Sequence, residues 1–187
     1  VERGEDKPYQ VVINGENYHA LESLTFAYAG KVDCIYIDPP YNSGAHDWKY
    51  NNDYVGGEDA YRHSKWLSFM ERRLKFAKQL LNPNDSILIV TIDEKEYLRL
   101  GLLLEQIFPS ERIQMITSVI NPSGSARGEI FSRTDEYLYF VFIGKAKLVP
   151  NTDDMLHTPQ HTRGVRWDGL CRRGATGHRE ARPNLFY

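Results

Sequence analysis

From Val32 to Ile37 the chain runs Val-Asp-Cys-Ile-Tyr-Ile and then stops on Asp38-Pro39-Pro40-Tyr41. β-Branched and aromatic residues dominate the run and no helical stripe emerges, so it predicts a buried strand. Neither proline can donate to a ladder, so the strand must end there. An acid and an aromatic ring are thereby left at a strand's carboxyl end, where open α/β sheets place their ligands. Chemically the pair offers an acceptor for an amino group beside a flat surface for a planar ring.

The rest of the chain supplies a matching frame. Gln10 to Asn14 reads as a short strand. A helix follows through Ala20, Leu21, Leu24, Ala27 and Tyr28, with Gly30 as its C-terminal cap. Residues 42–59 are polar and contain glycine, which predicts a mobile functional loop. Trp66, Met70, Leu74, Ala77 and Leu81 recur at helical spacing within a helix over 60–81. Residues 86–92 form an apolar strand. Asp93 and Glu96 then have the spacing of a capping box for a helix that ends near Phe108, before Pro109. Residues 112–120 predict another strand and 121–132 a second polar loop. Residues 134–143 are apolar on both faces, as only a central or covered strand is. Alternation of strands and helices predicts an α/β fold with a mostly parallel sheet. No helix separates the last two strands, so one of them is expected to run antiparallel near the sheet's end.

Composition excludes some classes. With 187 residues, 41% hydrophobic and 26% charged, the chain has the makeup of a globular domain. No apolar run approaches the length of a membrane span, so no membrane partner is expected. Two cysteines give no disulfide framework, and Cys34 reads as a small buried hydrophobe. A cytoplasmic location is expected. His157, His161, Cys171 and His178 lack metal-ligand regularity, so no metal site is expected. The net charge of −2 hides an asymmetry, because residues 161–187 hold six arginines against two acids. That segment suits either phosphate contact or a solvated tail.

Asp38-Pro39-Pro40-Tyr41 after an apolar strand resembles the catalytic motif of S-adenosylmethionine-dependent amino DNA methyltransferases. Its context is similar too. Asn14-Gly15-Glu16-Asn17 with Ala20-Leu21 resembles the family's lead-in. Tyr41-Asn42-Ser43-Gly44, His63-Ser64-Lys65-Trp66, Thr91-Ile92-Asp93-Glu94 and Arg182-Pro183-Asn184 resemble the modification subunits of type III restriction systems. The resemblance implies a partial Rossmann-like methyltransferase fold, with a catalytic half-domain over 1–147 and an arginine-rich tail over 148–187 that leads toward a target-recognition region.

It also implies roles. Asp38, Pro39, Pro40 and Tyr41 would be catalytic: the carboxylate and the Pro39 carbonyl hold an exocyclic amine, and Tyr41 stacks on the base. The target would be adenine N6 in double-stranded DNA, with the base flipped out. Cytosine N4, another amino group or a non-catalytic DNA-binding remnant are the alternatives. Glu16, Asn17 and Asp38 would face S-adenosylmethionine, although the family usually has Asp at position 16. An ordinary turn with Asn17 capping the helix explains the same step equally well. Trp48, Lys49, Arg127, Arg172 and Arg173 are the candidate DNA contacts, with His46, Tyr50 and Tyr54 beside them in the first loop. The family's Phe-x-Gly-x-Gly cofactor loop is not found, so the chain is expected to be the catalytic half of a longer enzyme. Weak or absent cofactor binding follows as an expectation. A restriction subunit and a second copy of the chain are the expected protein partners.

Overall fold

The computed structural model describes residues 10–120 and 133–149. The chain divides after Lys147, and every element described lies before that point. In order these are α1 (Asn17–Tyr28), β1 (Cys34–Ile37), β2 (Ala45–Tyr50), β3 (Asp53–Gly56), α2 (Arg62–Leu80), β4 (Asp85–Ile92), α3 (Tyr97–Ile107), β5 (Arg112–Val119) and β6 (Asp135–Gly144). Among the described residues, no helix is long and apolar enough to cross a membrane.

Four strands form one sheet in the order β1-β4-β6-β5. β1 is parallel to β4, and β6 is antiparallel to both β4 and β5. Three of the four strands therefore point the same way. The reversed strand sits one place in from the edge, so two of the three pairings are antiparallel. Its position explains its composition: β6 has a neighbour on each side, and Tyr139, Val141, Phe142 and Ile143 are buried. The result is a mixed α/β sheet of the partial Rossmann-like type.

One face of the sheet makes the core. β4 alternates cleanly, with Leu88, Val90 and Ile92 fully buried and their neighbours half-exposed. Against them pack Trp66, Met70 and Leu74 of α2, and Leu100, Leu104 and Ile107 of α3. The helical stripe of α2 is the one its spacing predicts, although the helix starts at Arg62 and Leu80 joins the buried face. α1 buries no residue fully and touches α2 through the edge-to-face pair Tyr18–Phe76 at 5.1 Å. Gly30 follows it with φ +67, the left-handed conformation that glycine adopts without penalty.

Four expectations are corrected. Residues 10–14 form no strand, and Val11 and Val12 are 71% and 95% exposed. Cys34 is exposed rather than buried, because it shares with Tyr36 the face of β1 opposite Ile35 and Ile37, the two residues that pack on the core. The first polar loop contains a hairpin, β2–β3, in which Tyr50 pairs with Asp53. Asn51 and Asn52 form its two-residue turn with φ +51 and +71, as a type I′ turn requires. The capping box also does not form. Asp93 accepts from the Lys95 amide at 2.7 Å, while Glu96 turns inward and makes no cap bond.

Candidate active site

Asp38 follows the last residue of β1, and the strand's pairing fixes what stands beside it. Ile37 is opposite Val90, which brings Thr91 of β4 next to the acid. The Thr91 hydroxyl donates to Asp38 Oδ1 at 2.7 Å. The carboxylate is exposed, so one oxygen is oriented by the protein while the group faces solvent. On the next residues the backbone is held from inside. The Trp66 indole, at the core of α2, donates to the Pro40 carbonyl at 2.7 Å. Among the described residues no donor reaches the Pro39 carbonyl, which leaves it as the turn's available acceptor.

Tyr41 is half-buried and its hydroxyl donates to Glu136 Oε2 at 3.3 Å, across from the start of β6. Burial above all pushes its phenol up to about 12; the Thr91 hydroxyl opposes it, and the Asp38 and Glu136 carboxylates add to the rise. Tyr41 is therefore a neutral ring at any physiological pH. Glu136 belongs to a cluster in which Arg133 lies 3.5 Å from Asp93 and 3.8 Å from Glu136. Burial raises the Asp93 carboxyl above the usual range, against the Lys95 amide and Arg133.

A cavity of about 600 Å³ opens beside this turn. Asp38, Pro39, Pro40, Glu16 and Asn17 line it, with Leu21, Ile35, Phe69 and Met70 as apolar wall. Arg73 crosses the wall. Its guanidinium carbon lies 3.6 Å from the centre of the Phe69 ring, and the group donates to Glu16 and Asn17, each at 3.1 Å. Glu16 caps α1 by accepting from the His19 amide at 3.1 Å, so Asn17 is the first helical residue and not the cap. Burial opposes ionisation of Glu16, but the Tyr18 and His19 amides and then Arg73 hold its carboxyl below the usual range. The longer acid at position 16 thus serves both the helix end and Arg73.

The other anticipated residues separate. Lys49 is exposed on β2 and lines the cavity, with its ammonium 4.5 Å from the Tyr54 ring centre. Trp48 is only 4% exposed and its indole donates to Asn42 at 3.3 Å, a placement at odds with a DNA-contacting role. His46 and Tyr54 are exposed on the hairpin, whereas Tyr50 is half-buried. Arg127, Arg172 and Arg173 lie outside the described residues. Arg73 and Glu136 are not singled out by the sequence, and Thr91 stands there only within a motif, without a role beside Asp38. Only strand register and helix packing bring them to the site, and neither is legible in a local motif. Among the described residues no cluster of potential metal ligands occurs.

Comparison with known proteins identifies the family. A family model described as N6_N4_Mtase, DNA methylase, matches residues 32–175. The chain is 38% identical over 132 residues to the "Probable type III restriction-modification enzyme HindVI Mod subunit" of Haemophilus influenzae, covering 68% of this chain and 17% of that protein. It is 30% identical over 180 residues to the type II methyltransferase M.KpnI of Klebsiella pneumoniae, covering 92% of this chain and 43% of that one. The crystal structure of the M1.HpyAVI–SAM complex is 18% identical, with a TM-score of 0.48 over 74% of this chain and 56% of that one. The chain thus spans less than half the length of these curated relatives. Its match extends through the strand, the Asp-Pro-Pro-Tyr turn and the helices that hold it, and the chain belongs to the N6/N4 DNA methylase family.

Proposed function

We propose that this chain carries the amine-presenting part of a DNA adenine-N6 methyltransferase of a restriction-modification system. The observation that carries the reading is the turn itself. One carboxylate, oriented by Thr91, and one backbone carbonyl, left open while its neighbour is tied to Trp66, stand together at the mouth of a nucleoside-sized cavity.

An exocyclic amine is a poor nucleophile because its lone pair is delocalised into the ring. Asp38 accepts one amine hydrogen and the Pro39 carbonyl the other, which favours a pyramidal nitrogen with its lone pair turned to the methyl donor. Tyr41, neutral and half-buried, offers its face to the flipped base. The cavity fits S-adenosylmethionine: apolar side chains suit the adenine ring, and Glu16 with Asn17 suits ribose hydroxyls. That cofactor, when bound, supplies an electrophilic methyl group on sulfur. Lys49 on the exposed hairpin is placed for a phosphate contact. A DNA duplex, a restriction subunit and a second copy of the chain are the partners this reading implies.

The test is methyl transfer from tritiated S-adenosylmethionine to duplex DNA, by the chain together with a polypeptide that supplies a Phe-x-Gly-x-Gly segment. Asp38→Ala should lower transfer by at least about 100-fold. Nucleoside analysis should find N6-methyladenine. Label in N4-methylcytosine would reassign the target, and no label with both parts folded would sink the reading.

A further inference from the structure

Behind the turn lies a wholly buried carboxylate that takes no part in holding the amine. Glu96 and Asn42 are both 0% exposed. Glu96 stands at the N-terminus of α3, yet makes no cap bond there. Its carboxylate is spent on the opposite side. Oε1 accepts from Asn42 Nδ2 at 2.5 Å and pairs with His63 Nδ1, and Oε2 lies 3.5 Å from Arg99 Nη1. A carboxylate this deep costs several kcal/mol unless such partners offset it.

Asn42 directly follows Tyr41 and has φ +57. That left-handed conformation costs most residues roughly 1–2 kcal/mol, and asparagine tolerates it best after glycine. Its amide is fixed at both ends. Nδ2 faces Glu96 and the Arg62 carbonyl, the latter at 3.4 Å, and Oδ1 accepts from the Trp48 indole at 3.3 Å. Because an indole can only donate, Oδ1 must face Trp48, and the amide has a single orientation. The turn, the β2–β3 hairpin and the starts of α2 and α3 therefore meet at one Asn–Glu pair.

We propose that Glu96 is a positioning residue: through Asn42 it locks the backbone after Tyr41, and so aims the tyrosine ring and the Pro39 carbonyl. The proposal rests on the amine-presenting reading of Asp38–Tyr41. It adds a residue that touches neither base nor cofactor. Misplacement of such a turn by about 1 Å can cost on the order of 100-fold in rate.

Three variants of the full chain test it: Glu96→Ala, Glu96→Gln and Asn42→Gly. Gln keeps an acceptor for Asn42. Gly keeps the left-handed backbone and severs the link; because it also removes the acceptor of the Trp48 indole, the amides at 41–43 are the deciding readout for that variant. Hydrogen exchange of the Trp48 indole and of the amides at 41–43 is read by NMR against the amides of β4. Glu96→Ala and Asn42→Gly should speed exchange at those sites by about tenfold or more, with β4 unchanged, and Glu96→Gln should stay within about threefold of the parent. In the methyl-transfer assay the first two should lower kcat by about 30-fold, leaving the KM for DNA within about threefold. Should Glu96→Ala fail to fold, Asn42→Gly carries both readouts. Equal damage by the Gln variant, protection lost throughout β4, or an effect on KM alone would overturn the proposal. If the parent transfers no methyl group, the proposed function fails, and the exchange pattern alone still decides the latch.

Discussion

At the scale of single residues, the site is a set of groups with one free valence each. Thr91 takes one oxygen of Asp38, Trp66 takes the Pro40 carbonyl, and Glu136 takes the Tyr41 hydroxyl. What remains is the Pro39 carbonyl, without a donor among the described residues, beside an exposed carboxylate and the ring of Tyr41. The ring's chemistry can be checked directly. A phenol held at about 12 titrates later than a free tyrosine at about 10. The folded-state value is the higher, so the stability this gives is complete below pH 10 and is lost as pH rises toward 12. Difference absorbance near 295 nm between the parent and Tyr41→Phe should show the missing phenol titrating near pH 12. A missing phenol that titrates near pH 10 would remove the buried, carboxylate-flanked description of Tyr41.

At the scale of elements, the stretch from 42 to 59 divides what was legible from what was not. The acid and ring after the strand were plain in the order of residues, and so was the stripe of α2, because proline and a 3.6-residue period act locally. The hairpin signal was present as Asn51-Asn52, yet asparagine at both turn positions is weaker than Asn-Gly, and glycines elsewhere suggested a loop. The fate of Glu96 was not legible at all. Its spacing from Asp93 fits a capping box, but buried Asn42 and half-buried His63 draw the side chain elsewhere. The hairpin makes its own prediction. Asn52→Gly should leave stability within about 0.5 kcal/mol or raise it, and Asn52→Val should cost roughly 1–2 kcal/mol in urea unfolding. Equal midpoints for the two variants would contradict the φ of +71 at that position.

At the scale of the molecule, the sheet explains where the chemistry can be. β1 is an edge strand in the order β1-β4-β6-β5, and the cavity opens beside its carboxyl end. Direction along the chain suggested parallel strands, and three of the four obey it. Only pairing could show that the reversed β6 lies between β4 and β5, since register is a non-local choice. The residues that line the cavity include Glu16, Asn17 and Asp38, and none of them is a glycine. Calorimetric titration of the chain with S-adenosylmethionine should accordingly give a Kd weaker than about 100 μM, and Arg73→Ala should weaken it further by releasing Glu16. Low-micromolar binding would show that the described lining suffices.

Two of the three tryptophans have their indoles tied to the stretch that follows β1, Trp66 to Pro40 and Trp48 to Asn42. The protein therefore carries an intrinsic optical gauge on that turn. Any nucleic acid or nucleoside that shifts the turn must also shift the polarity around these rings. A blue-to-red change in emission should register engagement of the site before any product is made, without a dye or a labelled substrate.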